Sequence, residues 1–487
     1  MTEFEPVVGL EVHAELHTQS KMFCGCAVVD STSAGPNSAV CEVCTGMPGT
    51  LPVINQRAVE FALRVALALE CHVAVTSVFA RKNYFYPDLP KGYQISQYEL
   101  PLASDGVLEF GPEAELRSAR IRRVHLEEDT GKLIHGPGYS LIDYNRSGVP
   151  LLEIVSEPDL RSVPEVKAYA TALRSLLRYL DVTSGDMEKG AIRFEANVSL
   201  RARGSSTLGV RTEIKNLNSF RGMLRALEHE IERQGGILSA GGKVVQETLG
   251  WDEARGVTVS QRGKEEAHDY RYFPEPDLPP LVIAPAEIDR IRASLPELPL
   301  AKRARFAHDF GLTPYAAEVL TADRHVADYF ESAVAAEPDV TPARIANWLT
   351  GDLFGLLNEL GVDIAAARVP PASLAELVAL VERGEINQST GKILLAEMAQ
   401  EGGSPRAIVR DRGLSQLTDQ TAIEPLVERV LRDNPEQVDL YLQGKTTVSQ
   451  WLFGQVMKAA GGKAHPPTVQ QLLSARLQAL EAERQKR

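Results

Sequence analysis

Between Val8 and His17 an apolar residue recurs at every second position, and from Glu11 onward each alternate position is ionisable. Val8, Leu10, Val12, Ala14 and Leu16 are apolar, while Glu11, His13, Glu15 and His17 fill the positions between them. A period of two belongs to a β-strand with one face in a core and the other turned to polar surroundings. Two carboxylates and two imidazoles then share one face. Same-face neighbours on a strand lie about 6.6 Å apart, close enough for Glu11 and His13 to share one metal ion. The helical zinc motif HExxH is excluded, because Ala14 stands where its glutamate must follow the first histidine. A solvated strand face would show the same alternation.

Two further acidic segments add weight to the metal reading. His125-Leu126-Glu127-Glu128-Asp129 places three carboxylates ahead of a turn at Thr130-Gly131. Residues 148–158 read as a buried strand with Glu153 between Leu152 and Ile154. A carboxylate in such a run is costly to bury unless it is paired or bound to a cation. Hard oxygen ligands with one imidazole suit Mg²⁺ or Mn²⁺ held together with nucleotide phosphates. The alternative is that Glu153 pairs with a nearby arginine such as Arg146.

Four of the five cysteines form two close pairs, Cys24-x-Cys26 and Cys41-x-x-Cys44, with 14 residues between the pairs. Four thiolates match the tetrahedral demand of structural zinc and leave no open position for catalysis. Unligated buried thiols are the alternative, and Cys71 reads as plain core. A hairpin is expected where Ile192, Phe194, Ala196, Val198 and Leu200 alternate with Arg193 and Glu195, turn at Gly204-Ser205-Ser206, and return through Val210 to Lys215. Its polar face carries Arg193 and Lys215, which are able to hold phosphate oxygens. No P-loop is present: Asp439 occupies the first glycine position before Gly444-Lys445-Thr446, and Ile393 follows Gly391-Lys392.

Along the chain the pattern changes twice. Prolines accumulate over residues 274–299, and the periodicity beyond Pro299 is helical, as in Leu374, Leu377, Val378 and Val381. A second break falls at Glu401-Gly402-Gly403-Ser404-Pro405. Three units are expected over 1–294, 295–407 and 408–487. The 487 residues carry a net charge of −13, which argues weakly against a nucleic-acid partner. That charge is uneven, because residues 408–487 hold 11 basic against 9 acidic side chains. The N-terminus lacks the features of a secretory signal, residues 58–75 are too short and charged to span a bilayer, and the clustered cysteines suit the cytoplasm.

Read together, several strings resemble the GatB family, the B subunits of the aspartyl/glutamyl-tRNA amidotransferases. They are Gly9-Leu10-Glu11-Val12-His13, residues 81–88, Tyr93-Gln94-Ile95-Ser96-Gln97, His125-Leu126-Glu127-Glu128-Asp129, residues 143–158, 215–220 and 269–277, Trp348-Leu349 and residues 454–459. The resemblance runs in order over nearly the whole chain. It implies an α+β fold: a glutamine-synthetase-like cradle of mixed, largely antiparallel sheet with helices, then an all-α domain and an all-α YqeY-like tail that contacts tRNA. It also implies an ATP-dependent carbon–nitrogen ligase. The side-chain carboxylate of Glu-tRNA(Gln) or Asp-tRNA(Asn) is phosphorylated, then amidated with ammonia that a partner amidase, GatA, releases from glutamine. A small third protein, GatC, completes the heterotrimer, and no membrane is involved. Glu11, His13, Glu128 and Glu153 are the expected catalytic Mg²⁺ ligands, with Glu127 and Asp129 behind them. Arg193 and Lys215 are expected at phosphate, Lys82 and Tyr84 at the border of the pocket or the ammonia path, and zinc at Cys24, Cys26, Cys41 and Cys44.

Two other readings compete. A free-standing carboxylate–amine ligase would need its own ammonia and no tRNA, and a zinc-bearing RNA-binding protein would need no ATP. The second leaves the carboxylate face of the first strand unexplained.

Overall fold

The computed structural model describes residues 4–30, 32–112, 115–262, 270–414, 420–461 and 464–485. Asp269, the first residue of one of the strings above, lies outside them. In chain order the strands are β1 (Phe4–Glu15), β2 (His72–Val73), β3 (Thr76–Ser77), β4 (Phe79–Asn83), β5 (Tyr93–Gln97), β6 (Ala103–Phe110), β7 (Arg117–Glu128) and β8 (Lys132–Gly136). They continue with β9 (Tyr139–Asp143), β10 (Pro150–Ser156), β11 (Ile192–Ala202), β12 (Thr212–Leu217), β13 (Thr248–Asp252), β14 (Val257–Arg262), β15 (Phe273–Pro274) and β16 (Leu281–Val282).

The alternation at the N-terminus becomes β1, the central strand of a nine-stranded sheet ordered β14-β13-β12-β11-β1-β10-β7-β6-β2. Its pairs are antiparallel except β12 with β13. Val8, Leu10, Val12 and Ala14 are fully buried, as are Leu152 and Ile154 of β10. The expected hairpin is β11 with β12, and Ile192, Phe194, Ala196, Val198 and Leu200 of β11 are buried. Three helices cover that face: α1 (Gln56–Ala68), α2 (Val163–Tyr179) and α3 (Phe220–Ser239). Each begins on a polar side chain that satisfies the free backbone N–H groups of its first turn. Asn55 accepts from Arg57 and Ala58, Ser162 from Glu165, and Ser219 from Gly222. With both strands and helices amphipathic, these helices pack on the apolar face, and among the described residues of this unit the opposite face carries the charged side chains.

A second sheet, β15-β4-β5, borders that face. It is fastened to β7 by side chains: Gln94 donates to the Glu128 carbonyl at 2.8 Å, and Gln97 accepts from the Leu126 N–H at 3.0 Å. Within it, Arg81 of β4 makes a two-pronged bond to Glu275 at 2.8 and 2.7 Å.

The chain divides into two compact units, Met1–Lys302 and Arg303–Arg487. The first begins and ends close to the expected cradle. The described part of the second is helical throughout, with a separate core from Ile423 to Leu477. Leu374, Leu377 and Val378 are buried on the helix Pro371–Glu382, as their spacing predicts. Gly391 proves to be a packing residue, since a Cβ there would stand 2.8 Å from Val381 and 2.9 Å from the Trp348 ring. The glycine break at 402–403 is followed by a short helix, Pro405–Asp411, that runs across the expected boundary at 407. No described helix is long and apolar enough to cross a membrane.

Candidate functional site

Register alone assembles the site. Across the open face of the sheet, Arg193 of β11 stands beside His13 of β1, His13 beside Glu153 of β10, and Glu153 beside His125 of β7. One step along the strands, Glu195 lies opposite Glu11, and one step the other way Leu151 separates Glu15 from Glu127. These rows floor a cavity of about 930 Å³, whose border includes Lys82, Tyr84, Tyr86, Tyr270 and Tyr272.

Two groups of ligand atoms result, each with its members within 4.8 Å of one another. They are His13, Glu127 and Glu153, and Glu11, Glu195 and Glu213. Glu11 and His13, expected to share an ion, therefore belong to adjacent groups. In the first group His13 Nε2 lies 3.4 Å from Glu153 and 3.7 Å from Glu127. His125 Nε2 approaches Glu153 at 3.2 Å, and its buried Nδ1 has no hydrogen-bond partner among the described residues. Burial works against a charge on His13, yet Glu153, Glu127 and Glu195 outweigh it and raise its pKa to about 9. Burial likewise opposes ionisation of Glu153, but His125 and His13 hold its carboxyl well below the usual range. The arginine nearest Glu153 is Arg123, at 3.7 Å; Arg146 sits instead by Asp129 at 3.6 Å.

In the second group burial comes first, then the charges of Glu153, Glu195 and Glu213, in pushing the Glu11 carboxyl upward. Such crowding of oxygens is what a hard divalent cation relieves, so the donor set fits Mg²⁺. Asn197 donates to Glu11 at 3.0 Å, and Thr248 to Glu213 at 2.9 Å, which orients both carboxylates.

Glu128 does not join either group. Strand parity turns it to the same side as Val124 and Leu126, where it binds Lys91 at 2.5 Å and the Ile95 N–H at 3.0 Å. Glu127, placed behind the ligands by the sequence reading, takes the position expected of Glu128, with Ser96 donating to it at 3.0 Å. Asp129 lines the cavity and is bound by Arg193 at 2.9 Å; burial opposes its charge, but Arg193 and Arg146 lower its pKa to about 2. Lys215 reaches the cavity between Glu195 at 2.8 Å and Glu213 at 3.2 Å. Lys82 lies 5.1 Å from the Tyr270 ring centre, and Tyr84 packs 6.3 Å from the same ring. His17 falls beyond the end of β1 and is exposed. His125, Glu195 and Glu213 were not singled out by sequence. All three sit at alternate positions of charged strand faces, which is the signal that would have found them.

The four cysteines form a third group, with their sulfurs also within 4.8 Å of one another. A hydrogen bond from Cys24 holds the Cys44 thiol down at about 4 against burial, with help from the Cys41 N–H and Lys21, whose Nζ lies 3.6 Å from the sulfur. That bond and burial push Cys24 up in turn. Sulfurs this close, with a thiolate already favoured, can hold a metal ion. Cys71 is buried away from them, its thiol pushed up to about 12 by burial.

Comparison with known proteins identifies the family. Residues 6–289 match the GatB/GatE catalytic domain, and residues 328–477 match a GatB domain of the GatB_Yqey model. The chain belongs to the GatB family. Relatives named as the B subunit of an aspartyl/glutamyl-tRNA(Asn/Gln) amidotransferase include one from Moorella thermoacetica, 54% identical over 98% of this chain and 100% of its own. Another, from Thermomicrobium roseum, is 52% identical over 98% of this chain and 99% of its own. A third, from Myxococcus xanthus, is 50% identical over 98% of this chain and 99% of its own. Each of these relatives is thus named as one subunit of an amidotransferase that acts on aspartyl/glutamyl-tRNA.

Proposed function

We propose that the chain carries out ATP-dependent amidation of the side-chain carboxylate of Glu-tRNA(Gln), Asp-tRNA(Asn) or both, within a complex of three different subunits in the cytoplasm. The carboxylate attacks the terminal phosphorus of ATP, ADP leaves, and an acyl phosphate forms. Ammonia from the glutamine-hydrolysing partner GatA then displaces inorganic phosphate to leave the amide, and the small partner GatC braces the assembly.

The observation that carries this reading is the pair of adjacent ligand groups on one sheet face inside a single large cavity. Bringing a carboxylate to a triphosphate opposes like charges, and divalent cations between them would neutralise the charge that builds up during transfer. His13, Glu127 and Glu153 would hold one Mg²⁺, and Glu11, Glu195 and Glu213 a second. Around them, Ser96 fixes Glu127, Asn197 fixes Glu11, and His125 fixes Glu153. Glu128 contributes by bracing β5 against β7. Cys24, Cys26, Cys41 and Cys44 would hold a structural Zn²⁺. Residues 408–487 would contact tRNA as the tail domain, with 295–407 a helical domain between them.

Substitution tests the site in the reconstituted complex. His13→Ala or Glu153→Ala should lower ATP-dependent amidation at least a hundredfold while glutamine hydrolysis by the partner continues. Amidation at the wild-type rate in both variants would remove the assignment.

A further inference from the structure

The cavity is lined by five permanently basic side chains, Lys82, Arg123, Arg193, Arg211 and Lys215. Four are already engaged. Arg193 is bound to Asp129 at 2.9 Å and approaches Glu15 at 3.4 Å. Lys215 lies between Glu195 and Glu213. Arg123 stands 3.7 Å from Glu153 and over the Tyr98 ring, and Lys82 lies over Tyr270. Arg211 differs. It is exposed, and among the described residues it has no carboxylate within ion-pair distance and no ring beneath it.

Its direction is fixed by the strand that follows. Burial alternates from exposed Arg211 through buried Thr212, half-buried Glu213, buried Ile214 and half-buried Lys215. Thr212 is anchored in the core by a 2.9 Å bond to Glu230 of α3. Arg211, Glu213 and Lys215 therefore share the cavity side, with successive members about 6.6 Å apart. In the sheet, β12 is two strands from β1, about 10 Å from the row that holds Glu11 and His13.

We propose that Arg211 binds the phosphate groups of the nucleotide, which lies toward the β12–β14 end of the cavity while the acceptor carboxylate enters by the tyrosine-rich end. This rests on the ATP-dependent reading above. A cation whose charge is spent on protein carboxylates adds little field for an incoming anion, so Lys215 serves mainly to hold Glu195 and Glu213, and Arg193 to hold Asp129. A guanidinium without such a partner offers its donor fork to phosphate oxygens. It stands next to Glu213, on the side away from His13, where a metal-bound polyphosphate would extend. Gln246 and Gln261 line the same end and supply neutral amide donors and acceptors for the nucleoside, whereas Tyr84, Tyr270 and Tyr272 line the other.

The test is steady-state amidation by the reconstituted three-subunit complex, with ATP and misacylated tRNA varied in turn. Arg211→Ala should raise KM for ATP at least tenfold, leave KM for the misacylated tRNA within about twofold, and keep most of kcat at saturating ATP. Arg211→Lys should recover part of the loss. Equilibrium dialysis with Mg²⁺ and ADP should show the same weakening, and the exposed position leaves the melting temperature unchanged. An unaltered KM for ATP would overturn the proposal. So would a rise confined to the tRNA, which would assign Arg211 to the nucleic-acid backbone. A wild-type complex that amidates without ATP would instead remove the underlying reading, a result distinct from either.

Discussion

Glu127 and Glu128 are neighbours in the chain, yet β7 turns them to opposite faces of the sheet. Glu127 meets His13 across the cavity; Glu128 is buried against Lys91 and the Ile95 N–H. Their replacements should therefore separate cleanly. Glu127→Gln should reduce ATP-dependent amidation at least a hundredfold with near-normal stability. Glu128→Ala should cost about 3 kcal/mol in urea unfolding, because it leaves a half-buried ammonium and a buried N–H without their partner. A Glu128 variant of full stability and no activity would reverse these roles. The string His125-Leu126-Glu127-Glu128-Asp129 marked the segment in the sequence, but choosing between adjacent carboxylates needs the strand's phase, which Val124 and Leu126 supply. His125 was legible by the same rule, being two residues before Glu127. Glu195 and Glu213 were harder, since a solvated strand face shows the same alternation until the register places Glu11 opposite.

At the scale of elements, β1, β10, the β11–β12 hairpin and the helix at Leu374 follow from periodicity, because each carries its own apolar face. The β15-β4-β5 sheet does not. Its strands are short, β15 is distant in sequence from the other two, and it is joined to them by pairings such as Arg81 with Glu275 that no local pattern announces. The same holds for the fastening of α3 to the sheet. Glu230, fully buried, accepts from Thr212 at 2.9 Å, from Gln234 at 2.8 Å and from Arg233 at 2.8 Å. Burial raises its pKa, but these bonds outweigh it and hold the carboxyl below its ordinary value. Since the folded form binds its proton less readily than the unfolded chain, this contribution is complete above the ordinary glutamate pKa. It is lost as pH falls through the lower folded value. Glu230→Gln should therefore flatten the acid limb of the stability curve below about pH 4.5 and lower stability at pH 7. Parallel acid limbs in variant and wild type would contradict this.

Over the whole molecule, the uneven charge makes an acidic protein compatible with the proposed tRNA partner, because the negative charge belongs to the first 407 residues while residues 408–487 are slightly basic. Removing those residues should raise the tRNA dissociation constant of the complex, and an unchanged constant would deny the tail that role. Zinc should be found at about one ion per chain and fall in Cys41→Ser, measured by elemental analysis. A wild-type value near zero would leave the four sulfurs as a thiol cluster. The change of periodicity near Pro299 falls close to the division between the two compact units at Lys302, whereas the glycine break at 402–403 is bridged by the packing of the helix Pro405–Asp411 on Pro371–Glu382. On the proposed function, this chain couples ATP cleavage to amide formation on a charged tRNA. Counting ADP, phosphate and amide in the reconstituted complex, with Glu-tRNA(Gln) and Asp-tRNA(Asn) supplied separately, tests it most directly. One ADP and one phosphate should appear for each amide, with both lost in Glu153→Ala. Amide formed without ADP, or at an undiminished rate in that variant, would contradict it.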